Sequence, residues 1–145
     1  MCIDYVFKKR ETVIKNLQER LTVYKVVKKK NNNYYPLFMR IFKGLFSVRG
    51  MPFKKGKNKL KFLTGKAWIE EDKIKEIIKY RSGFHSFQYK EDAEKYARIM
   101  TGWPNGDIRI VECQILKKWI TTVGKIQMGQ NSGITFITNQ IIFPK

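Results

Sequence analysis

His85 is the only histidine in the 145 residues, and it lies in the run Gly83-Phe84-His85-Ser86-Phe87. In an extended chain, alternation puts Phe84 and Ser86 on one face and His85 and Phe87 on the other. An imidazole works as a general acid or base only when a second group, often a carboxylate, orients it. The neighbouring sequence supplies no such group, so a structural, hydrogen-bonded histidine is the competing reading. Cys2 follows the initiator Met; its removal would free an N-terminal cysteine whose own amine could serve as base. Cys113 reads as a small apolar residue inside a strand. Two cysteines and one histidine cannot complete a four-ligand zinc site without carboxylates, so neither a metal nor a cofactor is expected. The glycine-rich phosphate loops GxxxxGK[ST] and GxGxxG are absent.

The stronger chemical signal is charge. Residues 1–66 contain 18 Lys or Arg against Asp4, Glu11 and Glu19, whereas residues 67–145 contain 12 against 9 acidic residues. Nearly all of the net +18 therefore falls in the first half. Charge of this size repels itself in a compact fold and is relieved by a polyanionic partner. The candidate phosphate-binding groups are Lys28, Lys29, Lys30, Arg40, Lys43, Arg49, Lys54, Lys55, Lys57, Lys59 and Lys61. Aromatic residues interleave with them, as they do where bases stack on a basic surface. An anionic membrane is a weaker match, because the cations do not line one face of a long amphipathic helix. The opposing explanation is compositional: Lys fills 23 of the 30 cationic positions, and in a lysine-rich proteome it is simply the solvated surface residue. No stretch of about 18 apolar residues and no apolar leader with a small-residue cleavage site is present, so a cytoplasmic protein is expected.

These groups must be positioned by one domain, since 145 residues can bury one core but not two ordinary ones. Thr12–Leu21 places Val13, Leu17 and Leu21 four apart, which predicts a short amphipathic helix. Thr22–Val27 is β-branched and aromatic, a core strand ending in a turn over Lys28–Asn33. Tyr34–Val48 is the most apolar stretch, and Pro36 and Gly44 favour one or two short strands there, although its aromatics also fit helical spacing. Lys54–Lys61 has the composition of a mobile basic loop. Glu70–Lys79, acidic first and basic last with Ile74, Ile77 and Ile78 on one side, predicts a second helix. Phe84–Phe87 is a short strand, and Lys90–Met100 a helix with Ala93, Tyr96, Ala97 and Met100 on one face and Gly102 past its end. Trp103-Pro104-Asn105-Gly106 is turn chemistry before the alternating strand Asp107–Leu116. Trp119–Val123 and Ile134–Phe143 add strands around a polar loop at Gly129–Gly133. The expectation is an α+β fold: one compact domain, a largely antiparallel sheet and two or three short helices.

The order of these segments resembles an ADP-ribosyltransferase-like core: an early strand at Val23–Val26, an aromatic strand Phe84–Phe87 followed by the helix from Glu91, then Ile108–Glu112, and last Thr135–Thr138. It also resembles small proteins of phages and mobile elements that open with Met-Cys and carry a Gly-Phe-His-Ser-Phe segment before a Glu-Asp-Ala helix. In the transferases a His or Arg on the early strand holds the cofactor, and here Lys25 occupies that place. Ser86 matches the middle position, and the late acid falls on Glu112 or on the neutral Gln140. The resemblance implies the fold, with a non-enzymatic relative as the reading that suits these substitutions.

The sequence thus leads to a non-enzymatic accessory protein that binds nucleic acid, RNA or single strands ahead of duplex, since no recognition-helix pattern is present. One concrete version is a phage anti-defence protein that occupies the nucleic-acid channel of a host nucleoprotein such as a CRISPR complex. The alternatives are an ADP-ribosyltransferase-like or other nucleotide-handling enzyme, with His85, Ser86 and Glu112 as its candidate catalytic groups, and a basic module that docks an acidic protein.

Overall fold

The stretch Leu21-Thr22-Val23-Tyr24-Lys25-Val26-Val27 is rich in the β-branched and aromatic residues that suit a pleated surface, and it sits in the longest strand. The computed structural model describes residues 5–7, 10–36, 52–59, 63–70, 77–101 and 107–145. Eleven strands appear among them: β1 (Tyr5–Phe7), β2 (Arg20–Lys30), β3 (Asn33–Pro36), β4 (Gly56–Lys59), β5 (Leu63–Glu70), β6 (Ile77–Ser82), β7 (Phe84–Phe87), β8 (Asp107–Leu116), β9 (Ile120–Met128), β10 (Asn131–Thr138) and β11 (Gln140–Phe143). Two helices join them, α1 (Arg10–Ile14) and α2 (Lys90–Thr101).

All eleven strands belong to one sheet, in the order β4-β11-β8-β2-β7-β10-β9-β1-β5-β6, with β3 on the free part of β2. The pairings among the described residues are antiparallel except β1 with β5. β2 is the organising strand. One edge follows β8 from Arg20–Leu116 to Lys29–Asp107, while the other is shared between β7, at Tyr24–Phe87, and β3. Alternation then fixes two cores. Val23, Val27, Val111, Cys113 and Ile115 face one side with Phe84 and Phe136. Val26 and Phe87 face the other, where α2 lays down Ala93 and Tyr96, the Tyr96 and Phe87 rings 5.5 Å apart. A side chain at Gly133 would meet the Asp92 Cβ at 2.9 Å, so the helix start also rests close on β10.

The protein is mainly β, and the α+β expectation with two or three helices is corrected: among the described residues one helix reaches seven residues. The helix expected over Thr12–Leu21 stops at Ile14, and Arg20 already belongs to β2. Val13, Leu17 and Leu21 do pack against the core. They reach it along a turn, closed by the Leu17 N–H to the Ile14 carbonyl, and a strand whose entry is fixed by the Lys117 N–H to the Glu19 carbonyl. Long-range pairing with β8 overrides a weak local preference. At Glu70–Lys79, Glu70 closes β5 and Ile77 opens β6, the two strands pairing Trp68 with Ile77. β-Branched Ile77 and Ile78 fit a ladder better than a helix, where their χ1 is restricted. Residues 71–76 lie outside the described set.

The turn expected over Lys28–Asn33 contracts to Asn31-Asn32, because β2 continues through Lys30. Gly129–Gly133 likewise contracts to the two-residue turn Gly129-Gln130, and Ile134–Phe143 divides into β10 and β11 at Asn139. Part of the lysine-rich 54–61 stretch is a strand, β4, paired with β11. α2, β7 and β8 stand where the sequence predicts them. Residues 37–48 of the aromatic stretch and the Trp103–Gly106 turn lie outside the described residues.

Candidate functional site

Two groups of residues merit attention, one on a margin of the sheet and one inside it. The margin begins at the β2–β3 hairpin. Asn31 and Asn32 have φ of 51° and 63°, the two left-handed positions of a type I′ turn, which Asn tolerates better than other side-chain-bearing residues. The hairpin sets Tyr34 opposite Lys29 and Tyr35 opposite Lys28, with Lys30 exposed beside the tip. The Tyr34 carbonyl accepts the Phe53 N–H at 2.7 Å, which ties the strap of residues 52–55 to β3 at that point. Lys29 and Phe53 are therefore two interstrand steps apart, about 10 Å.

From Phe53 the chain carries Lys54 and Lys55, both exposed, into β4. Asn58 clasps this strap: its Oδ1 accepts the Lys54 N–H at 2.9 Å, and its Nδ2 donates to the Lys54 carbonyl at 2.8 Å. Lys57 and Lys59 are exposed on β4, and the Lys57 ammonium stands 5.5 Å over the ring of Trp119. That contact brings Lys117 and Lys118, in the 3-10 turn before β9, to the same margin. Lys117 donates to the carbonyls of Lys15 and Leu17. Asp107, opposite Lys29, is held in both its oxygens by Arg109 at 2.9 Å, which lowers its pKa. Lys28, Lys29, Lys30, Lys54, Lys55, Lys57 and Lys59 thus follow one another through hydrogen-bonded neighbours. Arg40, Lys43, Arg49 and Lys61 lie outside the described residues, as does Cys2.

The interior group is centred on Lys25, which is 6% exposed. Its ammonium donates to the His85 carbonyl at 2.8 Å and stands 5.5 and 6.0 Å from the ring centres of Phe53 and Phe84. Burial, which disfavours the charged form, pushes its pKa down to about 8. Burial likewise pushes the Cys113 thiol up to about 12. Phe53 covers the lysine from the strap, stacked on Phe143 at 4.4 Å.

His85 is buried, its Nδ1 lying 3.0 Å from the Gly83 carbonyl. Because that carbonyl can only accept, Nδ1 carries the proton and Nε2 is left as an acceptor with no partner. Burial first, and the nearby Lys25 charge second, lower its pKa to about 3. Ser86 is fully buried, and its hydroxyl has no partner either. The ladder puts Ser86 opposite Phe136 and His85 opposite Ile137, so the two side chains occupy different cores. Glu112 is exposed on β8, opposite Tyr24 and hence on the face away from Lys25. The candidate catalytic trio is therefore not brought together. Gln140 sits opposite Lys59 with a buried Oε1 that has no partner. Lys25 is the functional candidate that counting charges misses. The spacing Val23-x-Lys25-x-Val27 was its signal, since it sets a lysine in line with two core valines.

No group of His, Cys, Asp and Glu among the described residues could hold a metal ion, and no helix there is long and apolar enough to cross a membrane. Comparison with protein-family models, curated proteins and solved structures finds no match for this chain.

Proposed function

We propose that this protein binds nucleic acid, single-stranded RNA ahead of duplex DNA, in the cytoplasm, along the basic margin formed by Lys28–Lys30, Lys54, Lys55, Lys57 and Lys59. The observation that carries the reading is the Tyr34–Phe53 hydrogen bond, which joins two lysine clusters some 25 positions apart in sequence into one run. Lysines held as point charges along a groove or edge give affinity for phosphates without reading sequence. The half-buried Tyr34 and Tyr35 beside them offer ring surface to unpaired bases. The lysines of β4 have a second use, since cations on an edge strand discourage pairing with other chains. The separation of His85, Ser86 and Glu112 favours binding over catalysis.

The test is fluorescence anisotropy with a labelled single-stranded RNA and a duplex DNA over a salt series. Changing Lys54, Lys55, Lys57 and Lys59 together to Gln should weaken RNA binding tenfold or more. The slope of log affinity against log salt should fall by about 3, at roughly 0.7 for each single-strand phosphate that the variant no longer neutralises. An unchanged affinity and slope would remove this margin from the site.

A further inference from the structure

Four buried polar atoms among the described residues have no hydrogen-bond partner, and two of them, Ser86 Oγ and Thr138 Oγ1, lie on the same face of the sheet as Lys25. The placement follows from register. Tyr24 pairs with Phe87, so Lys25 after it on β2 and Ser86 before Phe87 on β7 both face the other side of the sheet. On the far side of β7, Ser86 pairs with Phe136 and Phe84 with Thr138. Thr138 is thus the diagonal neighbour of Ser86, within about 8 Å. Lys25 reaches over the same β7 peptide to the His85 carbonyl, which lies between Phe84 and Ser86.

The Lys25 ammonium thus lies under the Phe53 ring, and the Ser86 and Thr138 hydroxyls share its face of the sheet on the neighbouring strands β7 and β10. An ammonium has three N–H groups, and one acceptor is supplied here. Each hydroxyl has an O–H to donate and no recorded acceptor for it. Among the described residues the groups that stand against Lys25 are Phe53, Phe84 and Cys113, and none of them carries negative charge at neutral pH. A buried cation without a counter-charge and buried hydroxyls without partners each cost free energy, and a single guest that accepts from all of them removes both costs.

The geometry points to Lys25, Ser86 and Thr138 as a binding site for a small oxyanion, a phosphate or carboxylate group, seated between β2, β7 and β10 beneath Phe53. Two or three oxygens on one anionic centre match the number of donors and supply the missing charge. Charge-assisted hydrogen bonds of this kind are the stronger class. The site meets the basic margin at Phe53, whose N–H ties the strap to β3, but it uses none of the lysines proposed to bind nucleic acid, so the two can be removed separately.

Thermal melts with inorganic phosphate and, in parallel, acetate test the site, each titrated against chloride at constant ionic strength. The expected result is a saturable rise in melting temperature of about 3 °C or more with at least one of the two anions. The rise should be lost in Lys25→Met, reduced in Ser86→Ala and in Thr138→Val, and kept in the protein carrying Gln at positions 54, 55, 57 and 59. No rise with either anion, a rise that survives Lys25→Met, or one that vanishes with the margin variant would overturn the site. Should Lys25→Met fail to fold, the wild-type protein labelled at lysine Cε gives the same decision by NMR. The effective anion should move the Lys25 signal and raise its titration midpoint by a pH unit or more. An unmoved Lys25 signal refutes the site.

Discussion

At the scale of single residues, His85 shows how the fold can silence chemistry that the sequence advertises. The ring is the one imidazole in the chain, but it is buried with its proton fixed on Nδ1 by the Gly83 carbonyl. A consequence can be measured. The folded protein holds His85 neutral down to about pH 3, whereas the unfolded chain protonates it near its ordinary value of 6.5. Between those limits the unfolded state binds more protons, so the His85 contribution is intact above pH 6.5 and is lost as the pH falls towards 3. The slope attributable to this one group approaches about 1.4 kcal/mol per pH unit. Urea melts from pH 7 to pH 4 should show the loss, and His85→Gln should flatten the curve by that increment. Parallel curves for the two proteins would mean that the imidazole reaches water.

Elements tell a different story about what can be read ahead of time. β7 and β8 were legible because each carries its pattern within its own residues, Phe84–Phe87 between turn residues and Asp107–Leu116 by clean alternation, although their ladder partners are distant in sequence. α2 was legible from its acidic first turn and the face formed by Ala93 and Tyr96. The stretch 12–21 was not, because Val13, Leu17 and Leu21 meet the core equally well from a turn and a strand, and a partner about 100 residues away decided the matter. Of the proposed basic margin, the lysines are read directly from the sequence, but the hydrogen bond between Tyr34 and Phe53 is not, since no local pattern links those two residues. Lys25 entered the sequence reading only through the family resemblance, and its burial was hidden by its own type, since a lysine is assumed to face water. The hairpin offers a test at this scale: Val at both Asn31 and Asn32 would force β-branched residues into left-handed backbone, at about 1–2 kcal/mol each. Chemical denaturation should register that loss, and RNA affinity should fall with it because Lys28–Lys30 lose their fixed place. Full stability in the double variant would show that the turn can adopt another form.

For the molecule as a whole, a net charge of +18 on 145 residues must be borne by the folded state. Added salt screens exposed charges beyond about 10 Å at 0.1 M, so the melting temperature should rise between 10 mM and 300 mM NaCl. Heparin at low ionic strength should raise it further, since a polyanion supplies fixed counter-charge where sodium chloride supplies only screening. A melting temperature indifferent to both would mean that the positive groups lie far enough apart to ignore one another.

The three residues of β1 sit between β9 and β5, with Tyr5 aligned to Lys125 on one side and to Trp68 on the other. Among the described residues no other ladder ties the β5–β6 pair to the remaining strands. A ribosome therefore releases the opening segment of this polypeptide long before its second neighbour exists, and the nascent chain must keep that segment unspent until well over a hundred further residues have emerged.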